Sequence, residues 1–215
     1  MIKTVLLTGF EPFNQATVNP AWEAVRALDG WEGEHFRVEV RQLACVFGQA
    51  IEDIGAMIDE LHPDVVIAVG QAGGRPEISV ERVAINVDDA SIVDNGGQQP
   101  LDQPIAPDGP AAYFSTLPIK AIVRALREQG LVAGVSQTAG TFVCNHVFYG
   151  LMHKTAGQDI KAGFIHVPFL PEQAATRPDA PPSMALADII AGIKLAVQVT
   201  VAVDTDIQES GGATH

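Results

Sequence analysis

The sequence predicts an α/β fold in one domain, a mostly parallel, mixed central sheet with helices packed on it. Three observations predict it. Short β-rich apolar runs alternate with segments of helical period along the 215 residues, and Gly and Pro mark the junctions between them. At 47% hydrophobic residues, the chain can bury one sizeable core, whereas two small domains would strain its length. A single domain over residues 1–204 is expected, followed by a polar tail, 205–215, expected to lack fixed structure.

In chain order, residues 3–8 are a buried first strand. Asn19 and Pro20 read as a helix cap and the first helical position, opening a helix to about residue 28. Residues 35–41 alternate as a second strand, and 47–61 carry Phe47, Ile51, Ile54, Ile58 and Leu61 at helical spacing, stopping before Pro63. Residues 64–69 form a fully buried third strand that runs into a turn containing Gly70, Gly73 and Gly74. The least regular stretch is 75–110, with 80–87 extended; loops this long in compact domains are often functional. A helix over 118–129, a strand over 131–136, a helix over 144–155 and a strand over 161–167 follow, then a loop over 171–182 and a last helix from 184 to about 199.

With 13 Lys+Arg against 26 Asp+Glu, the net charge of −13 argues against nucleic acid or an anionic membrane as partner. The longest apolar segment, 186–203, is interrupted by Asp188, Lys194 and Gln198, so no membrane span is expected. The first residues are too short an apolar run for a signal peptide, which makes the cytoplasm the expected location. Cys45 and Cys144 are the only cysteines, too few for a disulfide scaffold or a four-cysteine zinc site. His146 and His153 share a helix face but stand about 10 Å apart, and H-E-x-x-H does not occur, so neither a metal nor another cofactor is expected.

Loops beyond the C-terminal ends of parallel strands hold the chemistry of open α/β sheets. Cys144 opens a helix after the turn 138–141, where backbone N–H donors and the helix dipole would lower its thiol pKa. The plainer reading is that it packs, as most lone cysteines do. A thiol nucleophile needs a base. His146 lies about 200° round the helix from Cys144 and His153 is again opposite, so neither can face it. His35 and His62 fall near the other end of the sheet, and His215 is in the tail; His166, near the end of its strand, shares an edge with Cys144. An acidic residue should orient that imidazole. Glu81 sits in an apolar context where a charge needs a partner, with Asp88, Asp89 and Asp94 as rivals. The glycine turn is a weak phosphate-loop signal that matches no nucleotide pattern, and a phosphorolytic enzyme built on it is a distant third reading. Phe10, Phe13 and Phe142 lie where they can either staple the core or wall an apolar pocket.

These residues resemble the pyroglutamyl peptidase I (pyrrolidone-carboxylate peptidase) family of cysteine peptidases over about residues 2–200. The likeness is carried by T-G-F-E-P-F from Thr8, G-Q-A-G-G-R from Gly70, E-R-V-A-I-N from Glu81, A-G-T-F-V-C-N-H from Ala139 and H-V-P-F-L-P from His166. It implies an α/β/α sandwich of the phosphorylase/hydrolase-like kind, and a cytoplasmic, homotetrameric thiol protease that needs no metal and releases N-terminal pyroglutamyl residues from peptides. The implied catalytic residues are Glu81, Cys144 and His166, and the implied substrate-binding residues are Phe10, Phe13, Gln71, Phe142 and Val143. That agrees with the chemistry: pyroglutamate is a lactam without an ammonium group, so it calls for apolar walls and backbone polar groups rather than a carboxylate. One segment departs from the pattern. Asp89 to Asn95 has Ser91 and Val93 where the family usually has Arg and Pro, so a weakened homologue that binds pyroglutamyl peptides is the alternative expectation.

Overall fold

The computed structural model describes residues 2–212. In order these form β1 (Lys3–Phe10), α1 (Pro20–Arg26), β2 (Phe36–Leu43), α2 (Gln49–Leu61), β3 (Val65–Gln71), β4 (Ile78–Glu81), β5 (Val83–Ile85), β6 (Ala112–Phe114), α3 (Ile119–Glu128), β7 (Ala133–Ser136), α4 (Val143–Thr155), β8 (Lys161–Val167), α5 (Pro171–Ala175) and α6 (Leu186–Ala202). Six strands make one sheet in the order β2-β1-β3-β8-β4-β7, and β5 with β6 makes a separate ribbon. The first four of that order run parallel, whereas β4 pairs antiparallel to β8 and parallel to β7.

Strand alternation sorts the apolar residues into two cores. Val5, Leu7, Ile67, Val69, Ile78, Val80, Ile165 and Val167 face the layer containing α1, α3 and α6. Leu6, Phe10, Val66, Ala68 and Phe164 face α2 and α4. Burying a Leu or Phe side chain fully contributes about 1.5–3 kcal/mol, and a one-residue slip of any central strand would swap its two faces. The register is therefore firmly set.

The start of α1 is as the sequence predicts, with Asn19 Oδ1 accepting the Ala21 N–H at 3.0 Å and Pro20 in the first turn. Elsewhere tertiary contacts change the boundaries. The second helix begins at Gln49 rather than 47, because Asp94 Oδ2 accepts the Phe47 N–H at 2.8 Å and holds that residue outside the helix. The expected loop over 171–182 contains α5, whose Gln173 Oε1 accepts the Leu170 N–H at 2.9 Å. Residues 205–212, expected to lack fixed structure, return along α3. Asp206 accepts the Lys120 and Ala121 N–H groups at 3.1 and 2.9 Å, filling the capping role that Pro118 cannot. Arg82 donates to the Gly211 carbonyl at 2.8 Å and Arg124 pairs with Glu209 at 2.8 Å. Residues 213–215, including His215, lie outside the described residues. No helix among the described residues is long and apolar enough to cross a membrane.

Candidate active site

Strand parity puts Phe10, Gly70, Glu81 and His166 on the sheet face that α4 covers. His166 is the penultimate residue of β8 and pairs in register with Gly70 on one side and Ser79 on the other. Glu81, two residues beyond Ser79 on the same face, is its diagonal neighbour. Their side chains meet: His166 Nδ1 lies 2.7 Å from Glu81 Oε1, with His166 3% and Glu81 0% exposed.

Cys144 is the second residue of α4, and it comes down on β3 where Gly70 offers no side chain. A Cβ on Gly70 would stand 2.9 Å from Cys144 Sγ and 2.8 Å from Phe164 Cζ. The thiol therefore rests against the residue that pairs with His166. On the expectation of parallel strands, Cys144 would reach this rim because it follows a strand C-terminus, and that part is corrected. Because β4 and β7 oppose β8, their C-termini point away from the rim. Both are only four residues long, so Glu81 still ends a diagonal step from His166, and residues 137–142 carry the chain back to α4. That return path is held by Thr141, whose Oγ1 donates to the Asp89 carbonyl at 2.7 Å and whose carbonyl accepts the Asp89 N–H at 3.0 Å.

The aromatic residues converge around the start of α4. Phe13 and Phe142 lie 6.1 Å apart between ring centres, and Phe47 meets Phe142 edge-on at 5.3 Å. Phe10 packs on Phe164 at 6.3 Å, and Phe164 on His166 at 4.8 Å. Val143 is fully buried in the core, so only its backbone can face the site. Gln71 ends β3, whose pairing with β1 stops at Gly9 and Val69; the backbone beyond that point is left to seek other partners on the β1 side. Its side-chain Oε1 accepts from Gln173 Nε2 at 3.2 Å.

Of the rival acids, Asp88 pairs with His146 at 2.8 Å, and the other ring nitrogen of His146 accepts the Gly48 N–H at 2.9 Å. Asp94 accepts three backbone N–H groups, those of Phe47, Gly96 and Gln98, each at 2.8 Å. Among the described residues no group of three or more His, Cys, Asp or Glu side chains converges as a metal site requires. Residues missed from the sequence are Phe47, which the helical period had absorbed, and Phe164, which reads as strand core. Arg75 and Arg82 are near the site in sequence, but the sequence places neither in it; the structure pairs Arg75 with Glu81 at 2.7 Å.

Burial is the first cause that pushes the Cys144 thiol up; Cys45 and Glu81 add to it and Arg75 opposes it. The lowering expected from the helix start is thus outweighed by desolvation. Cys45, 4% exposed, is pushed up to about 12 by burial, then by Glu11 and Asp94. Ser91 is exposed.

The sequence model of the pyroglutamyl peptidase family matches residues 3–203. The chain is 60% identical to a pyrrolidone-carboxylate peptidase of Cupriavidus pinatubonensis and 57% identical to one of Bacillus cytotoxicus, in each case over 100% of both chains. Among solved structures, pyroglutamyl peptidase I from Bacillus amyloliquefaciens superposes with a TM-score of 0.95 at 45% identity, covering 98% of this chain and 100% of that one. A mutant pyrrolidone carboxyl peptidase from Pyrococcus furiosus gives 0.90 at 42% identity, over 93% and 98%.

Proposed function

The chain belongs to the pyroglutamyl peptidase family, and from that premise we propose that it hydrolyses the N-terminal pyroglutamyl residue from peptides, with Cys144 as nucleophile, His166 as base and acid, and Glu81 orienting the imidazole. The observation that carries this is the buried 2.7 Å contact of Glu81 Oε1 with His166 Nδ1, one strand away from the Gly70 backbone on which Cys144 Sγ rests.

With Nδ1 donating to Glu81, the other ring nitrogen is the one with a free lone pair. It takes the Cys144 proton as sulfur attacks the pyroglutamyl carbonyl. Burial pushes this thiol up, which favours proton transfer to His166 in step with attack. The carbonyl oxygen becomes an oxyanion next to the first N–H groups of α4, which no side chain caps; one such donor is worth about 2.7–4 kcal/mol in the transition state. The imidazolium then protonates the leaving amine, the C–N bond breaks, and the peptide departs. Water, deprotonated by His166, hydrolyses the thioester and frees pyroglutamate and the thiol.

Phe10, Phe13 and Phe142 supply apolar walls for the lactam, and the backbones of Gln71 and Val143 supply polar groups for its N–H and C=O. The reading includes the cytoplasmic homotetramer implied by the resemblance. The name shared by the curated relatives is that of an enzyme, which favours turnover over binding alone. A chromogenic pyroglutamyl amide tests it: the protein is expected to release the chromophore and Cys144→Ser to release none. No release by the wild type, or undiminished release by the variant, refutes the proposal.

A further inference from the structure

Arg75 has no part in the chemistry above, yet its guanidinium is built into the site. Nη1 donates to Glu81 Oε1 at 2.7 Å and to Ser136 Oγ at 3.2 Å, and Nη2 donates to the Thr138 carbonyl at 2.9 Å. Glu81 is fully buried, and a carboxylate so placed is costly without a countercharge. One of its oxygens takes both Arg75 and His166, each at 2.7 Å; the other has no partner among the described residues. The carboxylate is therefore held between one cation and one imidazole. At the far end of the fork, Thr138 is the second residue of the return path 137–142, which delivers Phe142 and then Cys144. Ser136 Oγ also donates to the Thr138 carbonyl at 3.0 Å, so the guanidinium, its side chain 31% exposed, joins an existing turn.

Resting on the Cys144, His166 and Glu81 reading, we propose that Arg75 is a positioning residue for this reaction, a single fork that fixes Glu81 against His166 and, through Thr138, fixes the approach to Cys144. A lysine cannot replace it in full, because an ammonium lacks the planar fork that reaches two acceptors at once. The charged and titratable groups around the thiol are Glu81 from β4, Arg75 from the turn after β3, Cys45 from the segment after β2 and the imidazole of His166 from β8. Arg75 alone among the groups acting on the thiol electrostatically favours the thiolate, so its removal moves thiolate formation to higher pH.

The test compares wild type, Arg75→Met and Arg75→Lys in three measurements: kcat and KM on a pyroglutamyl amide, the rate of Cys144 alkylation by iodoacetamide against pH, and thermal melting. Arg75→Met is expected to lose kcat by roughly 10- to 100-fold, the size of a mispositioned general base, with KM little changed and the alkylation profile displaced to higher pH. Arg75→Lys keeps the charge, so its alkylation profile stays in place while kcat still falls several-fold. A folded Arg75→Met with wild-type kcat and an undisplaced profile overturns the proposal. If Arg75→Met does not fold, Arg75→Lys decides: reduced kcat at wild-type melting supports the fork, and full kcat overturns it. Should the wild type release no chromophore, the proposed function fails, and the alkylation profiles still report whether Arg75 governs Cys144.

Discussion

Gly70 is the residue on which the site turns, and what matters is the side chain it lacks. The added Cβ of Gly70→Ala would lie 2.9 Å from Cys144 Sγ and 2.8 Å from Phe164 Cζ, both too close to keep. Either the sulfur or the ring must move. Overpacking of this kind costs about 1–3 kcal/mol, and a 1 Å displacement of a reacting atom costs on the order of 100-fold in rate. We expect Gly70→Ala to melt lower and to lose kcat far out of proportion to its stability, read by melting and by amide hydrolysis on the same preparation. Gly73 is used in a similar way, since its Cβ would overlap the ring of Phe169. Gly70 and Gly73 therefore serve close packing and Gly74 a turn at φ +89°, and the weak phosphate-loop signal has this physical origin.

At the scale of the element, α4 joins the candidate site to the ribbon beside it. Its second residue is Cys144, and its third, Asn145, is fully buried and clamps the ribbon. Asn145 Oδ1 accepts the Ile85 N–H at 3.0 Å, while Nδ2 donates to the Ile85 and Val87 carbonyls at 2.9 and 3.1 Å. Asn145→Ala leaves the part-buried Ile85 N–H and Val87 carbonyl without this partner, while the Ile85 carbonyl keeps the Val87 N–H at 2.9 Å; each group left unsatisfied costs about 1–3 kcal/mol. The expected outcome is a lower urea midpoint, together with faster amide exchange in β5 and β6 than in the central strands. Equal exchange rates in the variant and the wild type would show that the ribbon is held by other contacts. The helix itself was legible in the sequence nearly to the residue, but its clamp was not, because Ile85 and Asn145 are 60 positions apart.

At the scale of the whole molecule, the C-terminal segment closes the first turn of α3. Asp206 supplies both capping bonds to that turn from 85 and 86 residues away. Asp206→Ala is expected to destabilise the protein by about 0.5–2 kcal/mol, the usual cost of a lost helix cap, with kcat unchanged, and a melting curve that does not move would count against the cap. The alternation of apolar runs and helical periods by itself determined the α/β class, most of the strands and longer helices, and the cap of α1, because each depends on neighbours within a few residues. The motifs around Cys144, His166 and Glu81 are also legible along the chain, and through them the family resemblance points to these residues as the candidate site. Only the tertiary structure decided that β4 and β7 run against β8, that Glu81 reaches His166 along a diagonal, that Arg75 shares the same carboxylate oxygen, and that residues 205–212 have a place to dock. Strand direction and side-chain pairing across the sheet are set by which distant segments bury one another's surfaces, and no local period in the chain carries that information.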